Sequence, residues 1–217
     1  MIPVKLAPEP PSFDCIVRQK GLSALAQMVG EMSRMPRRGR PRQPIATRKR
    51  DIPSDQFPAY WRNALGDLLV AYERRCAFLA LYIERATGTP SVDHMIPKSK
   101  RWNQVYEWKN YRLCSGSVNA KKKDLTGIVD PFVCKRRWFA LELVGFQVTR
   151  GQNIPAVCST AVDETIRLLN SPEFCKAREE YVSNYENFHI DFAHLKRRAP
   201  FIAQELRRQG RLLQGDR

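Results

Sequence analysis

Two short stretches of strand character stand ahead of a short helical stretch, and this order constrains the fold more than any other feature of the chain. The extended stretches are residues 91–96 and 110–115, joined by a long basic loop, and the helical pattern covers residues 117–123. Gly, Pro and Ser signals bound each stretch, as is typical of short strands and helix starts. The sequence therefore predicts a strand, a loop, a second strand and a short helix.

The rest of the chain is mainly helical in pattern. Apolar residues recur at helical spacing, and Pro, Gly, Ser or Asn bounds each segment. The predicted helices are residues 20–33, 58–83, 163–169, 172–185 and 200–213, and residues 138–148 alternate as a strand does. The expected fold class is therefore α+β and mostly helical.

Three parts of the chain follow from these patterns. Residues 1–57 form an N-terminal segment with a short helix, residues 58–131 form the core, and residues 132–217 hold a strand and a helical region. The first residues carry no basic region followed by an apolar run, and no stretch is apolar enough to span a membrane. The six cysteines are scattered without a C-x-x-C pair. We therefore expect a cytoplasmic protein with reduced thiols.

The strongest signal in the composition is positive charge. The chain has 37 Lys and Arg residues against 22 Asp and Glu residues, a formal net charge of +15. Such an excess attracts polyanions, of which DNA and RNA are the commonest. An anionic membrane surface would also attract a basic chain, but no basic helix with a clean apolar face is evident. Nucleic acid is therefore the expected partner.

A basic arm at residues 34–50 carries eight Lys or Arg residues and no acidic residue. Its prolines and glycine exclude a stable helix. Arg38, Arg40 and Arg42 flank a glycine and a proline in a pattern similar to the core of an AT-hook, which lays arginines into a narrow minor groove. Minor-groove binding, general contact with phosphates and no role at all stay open for this arm.

Residues suited to phosphodiester hydrolysis concentrate near the two strands. This reaction needs an activated water, a cation beside the leaving oxygen and groups that hold phosphates. His94 is a candidate base, and Asp93 with the amide oxygen of Asn119 offers two oxygen ligands for Mg²⁺. Neighbouring residues on a strand point to opposite faces, so a twist or turn must bring Asp93 and His94 to one site.

These residues resemble the HNH nuclease motif. Asp93-His94-x-x-Pro97, then Asn110 within Trp-Lys-Asn-Tyr-Arg-Leu, then Asn119-x-x-Lys122 occur in the family's order over about 32 residues. The family folds this region as a ββα-metal finger, here at about residues 91–124. The resemblance implies that a single divalent ion, Mg²⁺ or Mn²⁺, is the cofactor, and an amide oxygen at Asn119 favours these hard ions.

The resemblance also assigns a role to each residue. His94 is the general base, Asp93 and Asn119 are metal ligands, and Asn110 is the middle Asn of the site, which steadies the loop and the His. Lys122 and Lys98 are expected to contact nucleic acid. The resulting activity is endonucleolytic hydrolysis of DNA that leaves a 5′-phosphate and a 3′-hydroxyl, with nicking as the default for one site in a monomer.

One departure from many relatives concerns structural zinc. Cys76 stands where a first C-x-x-C pair begins, but Leu79 occupies its partner position, and Ser115 and Val118 stand at the second pair. We therefore expect no structural zinc. Packing must hold the finger instead, and the residues expected to supply it are Phe78, Leu81, Trp102 and Trp108.

Other functions fit the same sequence. A non-catalytic basic DNA-binding module and a nuclease that acts on RNA are the alternatives. Residues 8–14 and the finger are together similar to compact HNH proteins of bacterial anti-phage defence, such as the nuclease component of a type II Zorya system. That similarity implies other subunits of a defence system as partners.

Overall fold

The architecture is α+β and mostly helical, as the sequence predicted. The computed structural model describes residues 1–35, 39–40 and 42–216. The strands in these residues are β1 (Pro90–His94), β2 (Tyr111–Ser115), β3 (Phe139–Leu141) and β4 (Val148–Arg150). The α-helices there are α1 (Gln19–Met28), α2 (Leu65–Ala71), α3 (Gly116–Lys122), α4 (Ser159–Leu169), α5 (Pro172–Glu186), α6 (Phe192–Arg198) and α7 (Pro200–Arg208). No helix within the described residues is long and apolar enough to cross a membrane.

The first helix starts and ends earlier than the pattern predicted. A π-helical turn, Asp14–Arg18, leads into α1, and its Val17 is buried. The helix stops at Met28, and Gly30 follows with a φ of +76°. Glycine adopts this left-handed conformation without the steric cost of a Cβ, which is why the predicted extension to residue 33 does not form.

The predicted helix over residues 58–83 is wrong in its second half. A 3-10 helix, Tyr60–Ala64, continues into α2, which ends at Ala71. Glu73 and Arg74 then take φ angles of +49° and +59°, which break the helix. Each residue from 76 to 81 is apolar and buried, so periodicity could not tell a packed turn from a helix there.

The ββα unit forms where the sequence predicted it. Strands β1 and β2 pair antiparallel, with Asp93 opposite Arg112 and His94 opposite Tyr111. Helix α3 follows β2 directly, and the Ser115 hydroxyl at its N-cap accepts a hydrogen bond from the Val118 amide at 3.4 Å. This arrangement brings Asp93 and His94, at the end of β1, close to Asn119 on α3.

The C-terminal part differs from the prediction in detail. The expected single strand over residues 138–148 is a hairpin of β3 and β4, since the Glu142 carboxylate accepts hydrogen bonds from the Val144, Gly145 and Gln147 amides in the turn. Helix α4 begins at Ser159, earlier than predicted. Helix α6 was missed, and α7 ends at Arg208 rather than at residue 213. Helix α5 closely follows its prediction.

Hydrophobic packing joins the ββα unit to the helices around it. Trp108 is buried, its ring centroid is 5.5 Å from that of Phe13, and its indole donates to the Ala7 carbonyl at 2.8 Å. Phe78 and Leu81 are also buried, and Trp102 packs half-buried against the core. The residues expected to hold the unit therefore do lie in the core.

Candidate functional site

A cleft of about 550 Å³ opens where β1, α3 and the 3-10 helix Tyr60–Ala64 meet. Asp93, His94 and Asn119 all line it, so the structure brings together the three residues that the sequence predicted as base and metal ligands. The cations on its walls are Arg62, Lys98 and Lys123, and the exposed Asp124 is its second carboxylate.

His94 is held in one orientation. Its Nε2 lies 2.9 Å from the Val105 carbonyl oxygen, and its ring meets the rings of Trp61 and Tyr111 edge-on at 5.0 and 5.2 Å. Because a carbonyl oxygen can only accept, Nε2 carries the proton and Nδ1 keeps its lone pair. Burial lowers the pKa of His94 to about 4, so the ring is neutral near pH 7. The ring is therefore fixed and unprotonated, as a general base must be.

Asn110 steadies the loop that orients His94. Its Oδ1 accepts from the Ile96 amide at 2.8 Å, and its Nδ2 donates to the Ile96 and Gln104 carbonyls at 3.1 and 3.0 Å. These bonds tie both ends of the loop that carries Val105. Asn110 is buried and does not line the cleft, so it acts as a positioning residue rather than as a group that meets a substrate.

Asp93 is a buried carboxylate with one oxygen in use. Its Oδ1 lies 3.1 Å from the Lys122 ammonium, while Oδ2 is buried and has no hydrogen-bond partner among the described residues. Burial raises the pKa of Asp93, and the charge of Lys122 opposes that rise. A buried polar atom without a partner is costly, and it commonly marks a place for a water or an ion.

Asn119 completes the donor set from α3. Its Nδ2 donates to the Ser91 hydroxyl at 2.8 Å, which leaves the side-chain carbonyl oxygen as the ligand atom. A carboxylate oxygen and an amide oxygen in one cleft fit a hard divalent cation such as Mg²⁺ or Mn²⁺. Among the described residues, no three His, Cys, Asp or Glu side chains form a cluster.

Lys122 does not point into the cleft, and the prediction that it contacts a phosphate is wrong. Its side chain is 0% exposed, and its ammonium donates to the His94 carbonyl at 3.0 Å as well as to Asp93. Lys122 follows the buried Val118 by four residues, so the two side chains share the buried face of α3. Lys122 joins the backbone of the predicted base to the side chain of the predicted ligand.

The other predicted nucleic-acid contacts fall in different places. Lys98 lines the cleft, and its Nζ lies 4.6 Å from the centroid of the Trp61 ring. In the arm, Arg40 is exposed and Arg42 is half-buried, whereas Arg38 lies outside the described residues. Contact of these three arginines with nucleic acid stays a prediction.

Of the four positions at which the HNH resemblance would place zinc ligands, two carry hydrocarbon side chains. Leu79 and Val118 are both buried, and the Cys76 thiol accepts from the Leu79 amide at 3.5 Å. Burial raises the pKa of Cys76, which disfavours the thiolate that a metal needs. All six cysteines are free thiols.

Two side chains of the cleft escaped the sequence reasoning. Trp61 packs against both His94 and Lys98, and Ser91 holds Asn119. Trp61 precedes His94 by more than thirty residues in a helical pattern, where a core role explains a tryptophan equally well. The motif itself offered a signal for Ser91, which lies two residues before Asp93 and so on the same face of β1.

No protein-family model matches the sequence, and comparison with curated proteins finds no match.

Proposed function

We propose that the protein is a metal-dependent endonuclease of the HNH type that hydrolyses phosphodiester bonds of DNA. The observation that carries this proposal is that His94 shares one cleft with an Asp93 oxygen that has no hydrogen-bond partner in the described part of the chain. Asn119 stands beside them, on a ββα scaffold like that expected from the sequence motif. A role in anti-phage defence belongs to the same proposal and rests on sequence resemblance alone.

Each residue would have one task in the reaction. Nδ1 of His94 takes a proton from a water whose oxygen attacks phosphorus, and the bond from phosphorus to the 3′ oxygen breaks. A divalent ion held by Asp93 and Asn119 would stabilise the charge on that departing oxygen. The 3′ oxygen takes a proton from solvent, so the products are a 5′-phosphate and a 3′-hydroxyl.

The walls of the cleft suit a polyanion. Arg62, Lys98 and Lys123 line it, and no salt bridge to any of them occurs within the described residues. Free cations at a site of hydrolysis hold the phosphates on either side of the broken bond. A chain with one such site cuts one strand at a time, so nicking is the expected outcome.

The proposal is tested with supercoiled plasmid in Mg²⁺, Mn²⁺ or EDTA, with a structured RNA as a parallel substrate. The wild type should convert the plasmid to the nicked form only with metal. His94→Ala should lower the rate by roughly 10²- to 10⁴-fold, as the loss of a general base does. His189→Ala is the matched control, because His189 is exposed and lies outside the cleft.

Three results would contradict this function. Equal cleavage by the wild type and His94→Ala would exclude His94 as the base. Tight plasmid binding without any cleavage, together with no metal binding, would favour a basic binding module. Cleavage of the RNA alone would move the activity to the RNA-directed alternative.

A further inference from the structure

We propose that Lys122 is a built-in counter-cation for Asp93, so that the cleft binds a divalent ion weakly alone and tightly only with a phosphodiester. This inference rests on the proposed function and deepens it. In this view the nucleic acid supplies ligands that complete the metal site. Lys122 then neutralises Asp93 instead of contacting a phosphate.

Positively charged side chains outnumber negatively charged ones around the cleft. Asp93 and Asp124 face three cations on the walls, and the ammonium of Lys122 lies 3.1 Å from Asp93. Two carboxylates thus stand against four cations. Asn119 is neutral and adds no charge. A divalent cation that enters alone meets no net negative charge, whereas a bound phosphodiester brings one.

Lys122 is built into this position. Both side chains of the pair are at most 2% exposed, and the ammonium is also bonded to the His94 carbonyl at 3.0 Å. A buried ammonium that lost these partners would be left as an uncompensated charge in the protein interior, which is energetically costly. The ion pair therefore persists when the cleft is loaded, and Oδ1 of Asp93 stays in use.

The number of available protein ligands points the same way. With Oδ1 held by Lys122, Asp93 offers only Oδ2, and Asn119 offers one amide oxygen because its Nδ2 is bonded to Ser91. Mg²⁺ and Mn²⁺ take about six oxygen ligands in octahedral sites. Phosphate oxygens are the anionic ligands that can fill part of the remaining shell.

Coupling of this kind is reciprocal. If a phosphodiester raises the affinity for the metal, the metal raises the affinity for the phosphodiester by the same factor. Simple competition between divalent ions and a basic protein for DNA has the opposite sign, because added cations weaken electrostatic binding. An increase in DNA affinity on addition of the metal would therefore indicate a site shared by metal and phosphodiester, whereas a decrease would indicate general electrostatic screening.

The test measures Mn²⁺ binding by electron paramagnetic resonance in His94→Ala, in which cleavage during the titration should be slow. Titrations are made with and without a short DNA duplex, and Asn119→Ala in the same background corrects for Mn²⁺ held by the DNA. We expect the duplex to tighten Mn²⁺ binding at least about tenfold. Anisotropy of labelled duplex should show the reciprocal gain on addition of Mn²⁺.

Lys122→Met supplies the second arm, since methionine keeps a long unbranched side chain without the charge. Removal of the counter-cation should tighten Mn²⁺ binding without DNA and shrink the effect of DNA. Mn²⁺ should also raise the melting temperature of this variant more than that of the wild type, because the ion replaces the lost cation. Lys121→Met is the matched control, as Lys121 is exposed and pairs with Glu173.

Failure of the inference is distinct from failure of the proposed function. Metal-dependent cleavage with Mn²⁺ affinity that is equal with and without duplex would overturn the role of Lys122 and leave the nuclease standing. Unchanged Mn²⁺ affinity in a folded Lys122→Met would do the same. No Mn²⁺ binding under any condition would overturn both.

Discussion

Asp93 and Arg112 lie opposite each other on strands β1 and β2, and each belongs to a different ion pair. Arg112 pairs with Asp130 and Asp93 pairs with Lys122, and the two pairs differ in how fully their polar atoms are hydrogen-bonded. Arg112 binds Asp130 through two bonds, with Nε 2.8 Å from Oδ1 and Nη2 on Oδ2. Its Nη1 donates to the Lys109 and Tyr111 carbonyls. Phe132 lies under its guanidinium. All three guanidinium nitrogens and both oxygens of Asp130 are in use.

The pair of Lys122 and Asp93 is not saturated in this way. Oδ2 of Asp93 is buried and has no partner among the described residues, although the two pairs are neighbours on the same hairpin. A structural role accounts for an ion pair whose polar groups are all hydrogen-bonded, because every group regains the bonds that it lost to water. In the unsaturated pair, Asp93 keeps one oxygen that has no partner among the described residues, and Asp93 lines the same cleft as His94.

The largest expected difference is in the rate of plasmid cleavage when the carboxylate of Asp93 or that of Asp130 is neutralised. Asp93→Asn should lower plasmid cleavage at least about 100-fold, because it removes the charged ligand, and loss of second-sphere groups alone costs up to about that much. Asp130→Asn should leave cleavage within a small factor and lower the free energy of unfolding. Rates on plasmid and chemical denaturation of both variants check the contrast, and similar profiles for the two would break it.

Removal of the saturated pair's cation should mainly affect stability. Arg112→Met should lower the free energy of unfolding by about 2–4 kcal/mol, since it leaves a carboxylate that is only 24% exposed without its partner. Urea denaturation measures the change. Arg150→Met is the control, because its pair with Asp163 is solvent-exposed and should contribute little. A change for Arg112→Met as small as that of the control would contradict the structural role.

The smallest effect concerns the wall of the cleft. Lys98→Ala should raise KM a few-fold with little change in kcat, and it should lower the salt dependence of DNA binding by about one counterion. Anisotropy titrations at several salt concentrations measure this slope. Lys196→Ala is the matched control, because Lys196 also lies over an aromatic ring but far from the cleft in sequence and outside its lining. Equal slopes for both variants would remove Lys98 from the DNA path.

Local patterns predicted the ββα unit well, because β1, β2 and α3 each carry their own signals within about 32 residues. The end of α2 escaped prediction because residues 76–81, beyond the turn, are all apolar and buried and so mimic a continuing helix. Helix α6 was too short to show a period. Asp93, His94 and Asn119, which the motif singled out, line one cleft, and Asn110 braces the loop after β1, but their functional roles stay predictions.

The direction of Lys122 could not be predicted, since spacing along α3 does not say which side of the helix faces the core. Trp61 reaches the site only through the packing of the N-terminal helical part on β1. The motif therefore predicted which residues line the cleft, namely Asp93, His94 and Asn119. Tertiary packing decided that Lys122 pairs with Asp93, while Lys98 lines the cleft without a salt bridge among the described residues.

The most direct test of the central claim is a crystal structure of His94→Ala with a DNA duplex and Mn²⁺, measured for anomalous scattering. The account predicts one Mn²⁺ about 2.1–2.3 Å from Oδ2 of Asp93 and from the Asn119 amide oxygen, with a phosphate oxygen in its shell and Lys122 still on Oδ1. Mn²⁺ bound elsewhere, or DNA seated in the cleft with no metal at Asp93, would contradict it.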